Sequence, residues 1–373
     1  MTAPKHQRPS GASSGGRGFS LDLVSRYRAP IYGICILWVV FFHGYAIDGV
    51  DYSFGNESLA WFASLMGRGN VGVDVFLFLS GISLYFSWSR NPDLRDYFTK
   101  RLVRLAVPLL VIDGLYWFVR CVVWGQLGGV SGFIRRIAMV SLWTDGTGST
   151  WYVELQLVLY VAYPFVHEFL FRDGSAPRTA LRAAALMAAT YLVLLAFWDD
   201  APALFNQVEI ALTRIPVFLL GCAMGRAVYR GMRLPAWCGA LPFFGVAVFF
   251  GVLGFVGLDK PWVRFFYLVG GVSFAYAFAL LFAGLSALAV RFGLRRGSLA
   301  VRGLSCVGGA SLELYLSHIM VNQVYGLTPL YVAGSLGRYC VVAAISLVAS
   351  LVASRFIVKP VSKRLLAAAK KIP

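Results

Sequence analysis

The 373-residue chain is strongly apolar and, at the same time, strongly basic. Hydrophobic residues make up 58% and charged residues only 14%, against roughly 25% charged residues in an average soluble domain, and the mean hydropathy is +0.70. This composition excludes a soluble globular protein, a disordered chain and a collagen. The six cysteines are scattered without a CxxC pair, which is typical of buried small side chains and not of a disulfide framework. The remaining class is an all-α, polytopic membrane protein.

Apolar segments of spanning length follow one another along the chain. Because a spanning helix needs about 20 largely apolar residues, the sequence predicts about ten spans. They lie near residues 30–48, 71–88, 105–124, 151–171, 180–198, 208–226, 236–256, 263–288, 303–325 and 338–358. Residues 1–25 are rich in Ser, Gly and Arg without an apolar period, so we expect a disordered basic tail there. The transmembrane domain then covers residues 26–360, and a second basic tail covers 361–373.

The net charge of +17 is distributed unevenly between the predicted loops. If the N-terminus lies in the cytoplasm, most of the 34 Lys and Arg residues fall in inner loops and tails. This bias matches the positive-inside rule for a chain with both termini in the cytoplasm. Basic loops that face anionic lipid head groups also explain the charge without any nucleic-acid partner.

Ionisable side chains inside spans are costly in free energy, so they are candidate site residues. The predicted topology puts His43, Asp74, Glu154, Arg214 and His318 in or near the outer half of the bundle, on five different spans. A transporter would more often line both halves with polar groups. An enzyme site open to the external face would show this one-sided pattern.

His43 is the sharpest of these candidates, because it follows the fully apolar run IYGICILWVVFF in a chain with four histidines. An imidazole at this position can take a proton near neutral pH if a carboxylate orients it. Asp74 and Glu154 both have the right depth, and the sequence leaves the choice between them open. The structural alternative is a histidine that only packs within the bundle.

The ninth span carries a polar stripe. Ser311, Tyr315, His318 and Asn322 recur at intervals of four, three and four residues, which puts them on one helix face. The other faces are apolar. Such a stripe is equally typical of interhelical hydrogen bonding in a membrane bundle.

The predicted cytoplasmic side shows a different chemistry. Arg101 and Arg104 share a face at the start of the third span, in YFTKRLVRLAVP, and Arg28 precedes the first span. Anchoring by the positive-inside rule is a sufficient explanation for many such residues. The sharper hypothesis is a clamp for the phosphates of an anionic nucleotide such as coenzyme A, since guanidinium groups suit phosphate geometry.

Six sequence blocks, in order, resemble the acyltransferase 3 family of bacterial integral-membrane acyltransferases over about residues 26–360. The blocks are IYGICILWVVFFHG, GVDVFLFLSGISLYFS, FTKRLVRLAVPLL, STWYVELQLVLYVAYP, RIPVFLLGCAMG and GGASLELYLSH. The resemblance implies transfer of an acyl group, usually acetyl, from cytoplasmic acyl-CoA to a hydroxyl of an envelope or exported polysaccharide. It also implies a multi-pass protein of the bacterial cytoplasmic membrane, with acetyl-CoA as donor and no metal.

The resemblance also assigns roles to individual residues. The catalytic candidates are His43, Asp74, Glu154, Tyr315 and His318. The candidates for donor binding are Arg28, Arg101, Arg104 and Arg214, of which Arg214 is, like Tyr315, also a candidate for stabilising an oxyanion. One departure concerns the family arginine eleven residues before the first histidine, because that position is Tyr32 here. We expect Arg28, one helical turn earlier on the same face, to take its place.

In the expected reaction, His43 removes a proton from the acceptor hydroxyl, which is a poor nucleophile without a base. Direct transfer and transfer through an acyl-histidine are both compatible with the sequence. The main alternative function is a non-enzymatic transporter or flippase for a lipid-linked saccharide. A glycan polymerase or ligase is a third possibility, although such enzymes usually carry a large external loop.

Overall fold

The computed structural model describes residues 18–146, 148–256, 265–293 and 298–371, and this part of the chain is almost entirely helical. In chain order the helices are α1 (Leu23–Arg26), α2 (Arg28–Ala46), α3 (Ala60–Met66), α4 (Val71–Arg90), α5 (Leu94–Ile112), α6 (Gly114–Trp117), α7 (Gly129–Ile137), α8 (Ser141–Asp145), α9 (Trp151–Phe171), α10 (Ala176–Asp200), α11 (Pro202–Leu212), α12 (Ile215–Tyr229), α13 (Leu241–Val256), α14 (Phe266–Arg291), α15 (Leu299–Gly308), α16 (Ser311–Gly326), α17 (Leu336–Ala353) and α18 (Lys359–Ala369). The predicted all-α helix bundle is confirmed.

Short segments of other geometry connect these helices. Two 3₁₀ turns cover Glu57–Leu59 and Ala236–Ala240, and two π-helical segments cover Phe118–Val123 and Ser354–Val358. Two-residue strands β1 (Phe19–Ser20) and β2 (Arg233–Leu234) pair antiparallel, with Phe19 opposite Leu234. This pairing ties the N-terminal segment to the loop that follows α12.

Seven helical stretches of the described residues are long and apolar enough to cross a membrane. They are Arg28–Ala46, Glu57–Arg90, Ala176–Trp198, Pro202–Tyr229, Ala236–Gly254, Phe266–Arg291 and Leu336–Ala369. Two bent pairs raise the number to as many as nine: Leu94–Ile112 with Gly114–Val123, bent by 55°, and Leu299–Gly308 with Ser311–Gly326, bent by 70°. The polytopic architecture follows from these stretches.

The fourth predicted span, 151–171, forms the single 21-residue helix α9 but is not among these stretches. It carries Glu154, Gln156, His167 and Glu168, so its composition is more polar than that of the others. The first two of these side chains are buried against other helices. One face of the helix is therefore buried in the bundle, whereas Val161 and Phe165 on another face are exposed.

The disordered tail predicted for residues 1–25 is too long. Residues 18–25 contain β1 and most of α1, and Phe19, Leu21 and Val24 are buried in the core. Their side chains find an apolar partner surface that the Ser/Gly/Arg-rich composition does not reveal. Residues 1–17 lie outside the described part of the chain. At the other end, most of the predicted basic tail 361–373 belongs to α18, and residues 372–373 are not described.

Close backbone contact between α2 and α15 aligns the helices that carry the site. A Cβ atom on Gly33 would overlap the carbonyl oxygen of Leu304, and one on Gly308 would overlap that of Ala29. Small residues allow such approach between membrane helices. The bend that follows α15 then directs α16 along α2.

Candidate active site

Two histidines meet where α2 and α16 run side by side. His43 Nδ1 and His318 Nε2 are 3.0 Å apart, and the His318 side chain is buried. His318 Nδ1 lies 2.8 Å from the carbonyl oxygen of Leu314, one turn earlier in α16. A carbonyl can only accept, so His318 Nδ1 carries the hydrogen and, in the neutral ring, its Nε2 is an acceptor.

This arrangement fixes the tautomer of His43. Because His318 Nε2 accepts, His43 Nδ1 must donate, and His43 Nε2 is left with its lone pair. A lone pair at Nε2 is what a general base or a nucleophile requires. The residue that orients His43 in the structure is therefore His318. The two carboxylates considered for this role from the sequence have other partners.

Asp74 pairs with Arg214. The Nε atom of Arg214 is 3.5 Å from Asp74 Oδ2, and both side chains are almost fully buried. The Arg214 guanidinium also lies over the rings of Trp151 and Tyr267, at 5.1 and 5.6 Å from their centroids. Asp74 thus holds the arginine in place and balances its charge inside the bundle.

Glu154 holds a loop. Its carboxylate accepts hydrogen bonds from Ser141 Oγ (2.5 Å), the Leu142 backbone N–H (2.7 Å) and Thr150 Oγ1 (2.9 Å). Ser141 and Leu142 belong to α8, and Thr150 directly precedes α9. The carboxylate therefore positions the connection between α8 and α9 and does not contact His43.

A small outer pocket of about 130 Å³ has His43 in its wall. Arg214 and Tyr315 line the same pocket, together with Asn70 and Trp151. The pocket thus combines a ring nitrogen with a lone pair, a guanidinium held by a buried carboxylate, and a phenol. These are a base and a cation able to stabilise an oxyanion, whereas the Tyr315 hydroxyl donates its hydrogen to the Ser149 carbonyl oxygen.

Arg214 is consequently separated from the other arginines predicted to bind the donor. Arg28, Arg101 and Arg104 line a different cavity, and Arg214 does not. The turn before α12 puts the Arg214 side chain beside Asp74 in the outer pocket, apart from the cavity that the other three share, and its part in donor binding stays a prediction. Its position fits the predicted oxyanion role, which remains a prediction.

The second cavity is a large vestibule of about 890 Å³ on the predicted cytoplasmic side. Its wall is rich in basic side chains: Arg28, Lys100, Arg101, Arg104, Lys359, Lys363 and Lys370. Glu313 is the one carboxylate residue among its described lining residues. The Arg28 guanidinium donates to Ser83 Oγ at 2.8 Å, and the Arg101 guanidinium lies over the rings of Tyr97 and Tyr160.

A narrow inner passage of about 60 Å³ lies between the vestibule and the outer pocket. Arg28, Arg101 and Arg104 line both the vestibule and the passage, whereas Tyr315 lines both the passage and the outer pocket. Tyr32, where the family arginine was expected, also lines the passage and the vestibule. The three cavities therefore form a series from the basic vestibule to His43.

Tyr315 separates the last two of these cavities. Its hydroxyl donates to the Ser149 carbonyl oxygen at 3.1 Å, and its ring packs on Tyr152 with centroids 5.4 Å apart. The polar stripe predicted on this helix follows the same series: Ser311 lines the passage, His318 contacts His43, and Asn322 donates to Asp48 Oδ2 at 3.0 Å.

Gln156 is a passage residue that sequence reasoning missed. Its amide nitrogen donates to Ser80 Oγ at 2.8 Å, and its amide oxygen is buried without a hydrogen-bond partner among the described residues. Both side chains line the inner passage. A glutamine in the interior of an apolar span, two residues after the predicted site residue Glu154, is the signal that could have identified it.

Among the described residues, no group of three or more His, Cys, Asp or Glu side chains is arranged to hold a metal ion. His167 packs among the aromatic rings of Tyr163, Phe171, Tyr85 and Trp88, and it lines none of the three cavities.

A family model described as an acyltransferase domain, that of the acyltransferase 3 family, matches residues 33–355. The chain belongs to this family. The match covers both histidines, the outer pocket and half of the residues that line the vestibule. The protein is therefore a multi-pass membrane protein with an acyltransferase domain. Arg28 and α18 lie outside the matched residues.

One curated relative is the regulator of hypoxia-inducible factor 1 from Caenorhabditis elegans, which is 24% identical over 208 residues. The alignment covers 47% of this chain and 40% of the relative, so the chain spans less than half the length of that protein. No solved structure matches.

Proposed function

We propose that this acyltransferase moves an acyl group, in the simplest case acetyl, from cytoplasmic acyl-CoA to a hydroxyl of an envelope or exported polysaccharide. The proposed location is the cytoplasmic membrane of a bacterium. The observation that carries the proposal is the series of cavities, in which a strongly basic vestibule leads into a slim passage that Tyr315 separates from the outer pocket of His43. The matched family is described as an acyltransferase domain, which favours this function over the alternative of a non-enzymatic transporter.

The shape and chemistry of the cavities suit the parts of acyl-CoA. The phosphates of the donor require cations, and guanidinium groups stand at the mouth of the passage. The pantetheine arm is slim and carries amide groups. The free carbonyl oxygen of Gln156 is available to accept a hydrogen bond from an amide N–H in the passage.

The proposed chemistry takes place in the outer pocket. His43 Nε2 removes the proton of the acceptor hydroxyl while its oxygen attacks the thioester carbonyl. Negative charge develops on the carbonyl oxygen, and the Arg214 guanidinium is the nearest fixed cation in the pocket wall. When the C–S bond breaks, the thiolate of CoA takes the proton from the His43 imidazolium. His318 Nε2 accepts from His43 Nδ1–H throughout and so stabilises the imidazolium.

The proposal is tested by mass spectrometry of surface and exported glycans from cells with and without the gene. The expected result is glycan that carries acetyl ester groups only when the protein is present. A mass difference that corresponds to another acyl group would identify that group, and not acetyl, as the one transferred. Identical glycan profiles, with the protein expressed at normal levels, would contradict the proposed acceptor.

A further inference from the structure

The C-terminal helix α18 presents a row of lysines to the vestibule. Lys359, Lys363 and Lys370 line this cavity, and they are separated by four and seven residues, which puts them on one helix face. Leu366 and Ala367 line the cavity between them. The helix packs against α5, whose Lys100, Arg101 and Arg104 line the cavity too.

A π-helical segment comes directly before this row. Residues Ser354–Val358 join α17 to α18 without a break, so that Leu336–Ala369 is one long helical stretch. One extra residue in a helical turn rotates all later side chains by roughly 100° about the helix axis. The segment thus sets which face of α18 meets the vestibule, and π-helical turns are frequent at functional sites.

The cations of the vestibule stand at two depths. Arg28, Arg101 and Arg104 also line the inner passage, so they surround its mouth. The three lysines of α18 line only the vestibule and therefore lie on the side away from His43. Two separate groups of cations fit a ligand with two separate groups of phosphate oxygens.

The α18 lysines also have no acidic partner at close range. Lys100 forms an ion pair with Asp96, at 2.5 Å between Nζ and Oδ2. Among the described residues, neither Lys359, Lys363 nor Lys370 forms an ion pair with a carboxylate. The charge of Lys359 and Lys363 is therefore available to an anion in the cavity, whereas the Lys370 charge also interacts with the Asp96 carboxylate.

We propose that Lys359, Lys363 and Lys370 bind the 3′-phosphate of coenzyme A. This inference rests on the proposed function, because the order of the cavities matches the order of groups along acyl-CoA. With the thioester directed at Tyr315, the pantetheine arm fills the passage and the pyrophosphate reaches the three arginines. The adenosine 3′-phosphate then lies farther out, beside α18. This phosphomonoester carries a charge of roughly −1.5 to −2, the most concentrated on the molecule.

The test compares two ligands that differ only in this phosphate. Equilibrium binding of CoA and of 3′-dephospho-CoA is measured by calorimetry on the purified full-length protein in nanodiscs of neutral phosphatidylcholine. The variants are Lys359→Gln/Lys363→Gln and, as the matched control, Arg364→Gln. Arg364 is the next residue of the same helix, is exposed and does not line the vestibule. The change in charge per site is the same.

The wild type and Arg364→Gln are expected to bind CoA more tightly than 3′-dephospho-CoA. In the double-lysine variant the affinity for CoA falls by about tenfold or more, because charge-assisted hydrogen bonds to the phosphate are lost. Its affinity for 3′-dephospho-CoA stays within about twofold of wild type, which also shows that the variant is folded.

The inference would be overturned if the double-lysine variant lost affinity for CoA and 3′-dephospho-CoA equally, or if Arg364→Gln lost as much affinity for CoA. The lysines would then attract anions in general, including lipid head groups. A wild type that does not distinguish the two ligands would overturn it as well. If the wild type binds neither ligand, the proposed donor fails together with this inference. Binding of CoA that depends on Arg101 and Arg104 but not on the lysines would leave the proposed function standing.

Discussion

The contact between His43 and His318 predicts a strongly non-additive pair of substitutions. His43→Ala removes the proposed base, which typically costs ~10²–10⁴ in rate. His318→Ala leaves the base but removes the acceptor of its Nδ1–H, a hydrogen bond that becomes charge-assisted when His43 takes a proton. Such a bond contributes about 1.5–3 kcal/mol, which corresponds to roughly 10–150-fold in rate.

Because His318 acts through His43, its substitution has nothing left to affect once His43 is alanine. The double variant His43→Ala/His318→Ala should therefore be no slower than His43→Ala alone. The assay is thiol release from acetyl-CoA with purified protein and acceptor glycan, at saturating donor. His167→Ala, in its separate aromatic cluster, is the control and should keep its activity. A further loss of tenfold or more in the double variant would show that His318 acts independently, and the orienting role would be refuted.

Three further predictions concern the vestibule arginines, the Asp74–Arg214 pair and the backbone contact between α2 and α15. Replacing Arg101 and Arg104 together by alanine should weaken CoA binding by at least tenfold while the protein still inserts; unchanged affinity by calorimetry would reduce both to membrane anchors. Arg214→Gln removes the arginine that pairs with the buried Asp74 carboxylate, so the free energy of unfolding should fall by about 3–5 kcal/mol. Asp74→Asn in that background should recover part of the loss in a thermal unfolding assay, and no recovery would contradict the pairing. Gly308→Leu cannot keep the backbone contact between α2 and α15, so it should lower the yield of folded protein in size-exclusion chromatography, whereas normal yield and activity would show that this contact is dispensable.

The sequence was sufficient for the parts of the molecule that depend on local composition. Apolar runs predicted the bundle, and charge asymmetry separated its two ends. The face of α16 was also predictable, because Ser311, Tyr315, His318 and Asn322 share one side of an α-helix by spacing alone. In the structure this side follows the path from the passage to the outer pocket.

Contacts between side chains of different helices could not be predicted from local composition. Asp74, Glu154 and His318 have similar depth, and depth cannot tell which of them meets His43. The choice depends on the rotation and crossing of whole helices, which the backbone contacts of Gly33 and Gly308 determine. Glu154 accepts hydrogen bonds from one backbone N–H and two hydroxyls, and no pattern in the sequence predicts these contacts.

The contribution of the C-terminus was missed for a related reason. A basic segment after the last span has a sufficient explanation in the positive-inside rule. Only the fold shows that α18 packs against α5, so that Lys363 lines a cavity while its neighbour Arg364 does not.

The central claim is that His43 is the base of a transfer from acyl-CoA to glycan. It is tested most directly in a His43→Ala strain at matched protein levels, by mass spectrometry of its glycans together with CoA binding by the purified variant. We expect acylation to fall below about a tenth of wild type, while CoA binding is unchanged because the inner passage lies between the vestibule and the outer pocket. Acylation that persists above this level would contradict the assignment of His43 as the base.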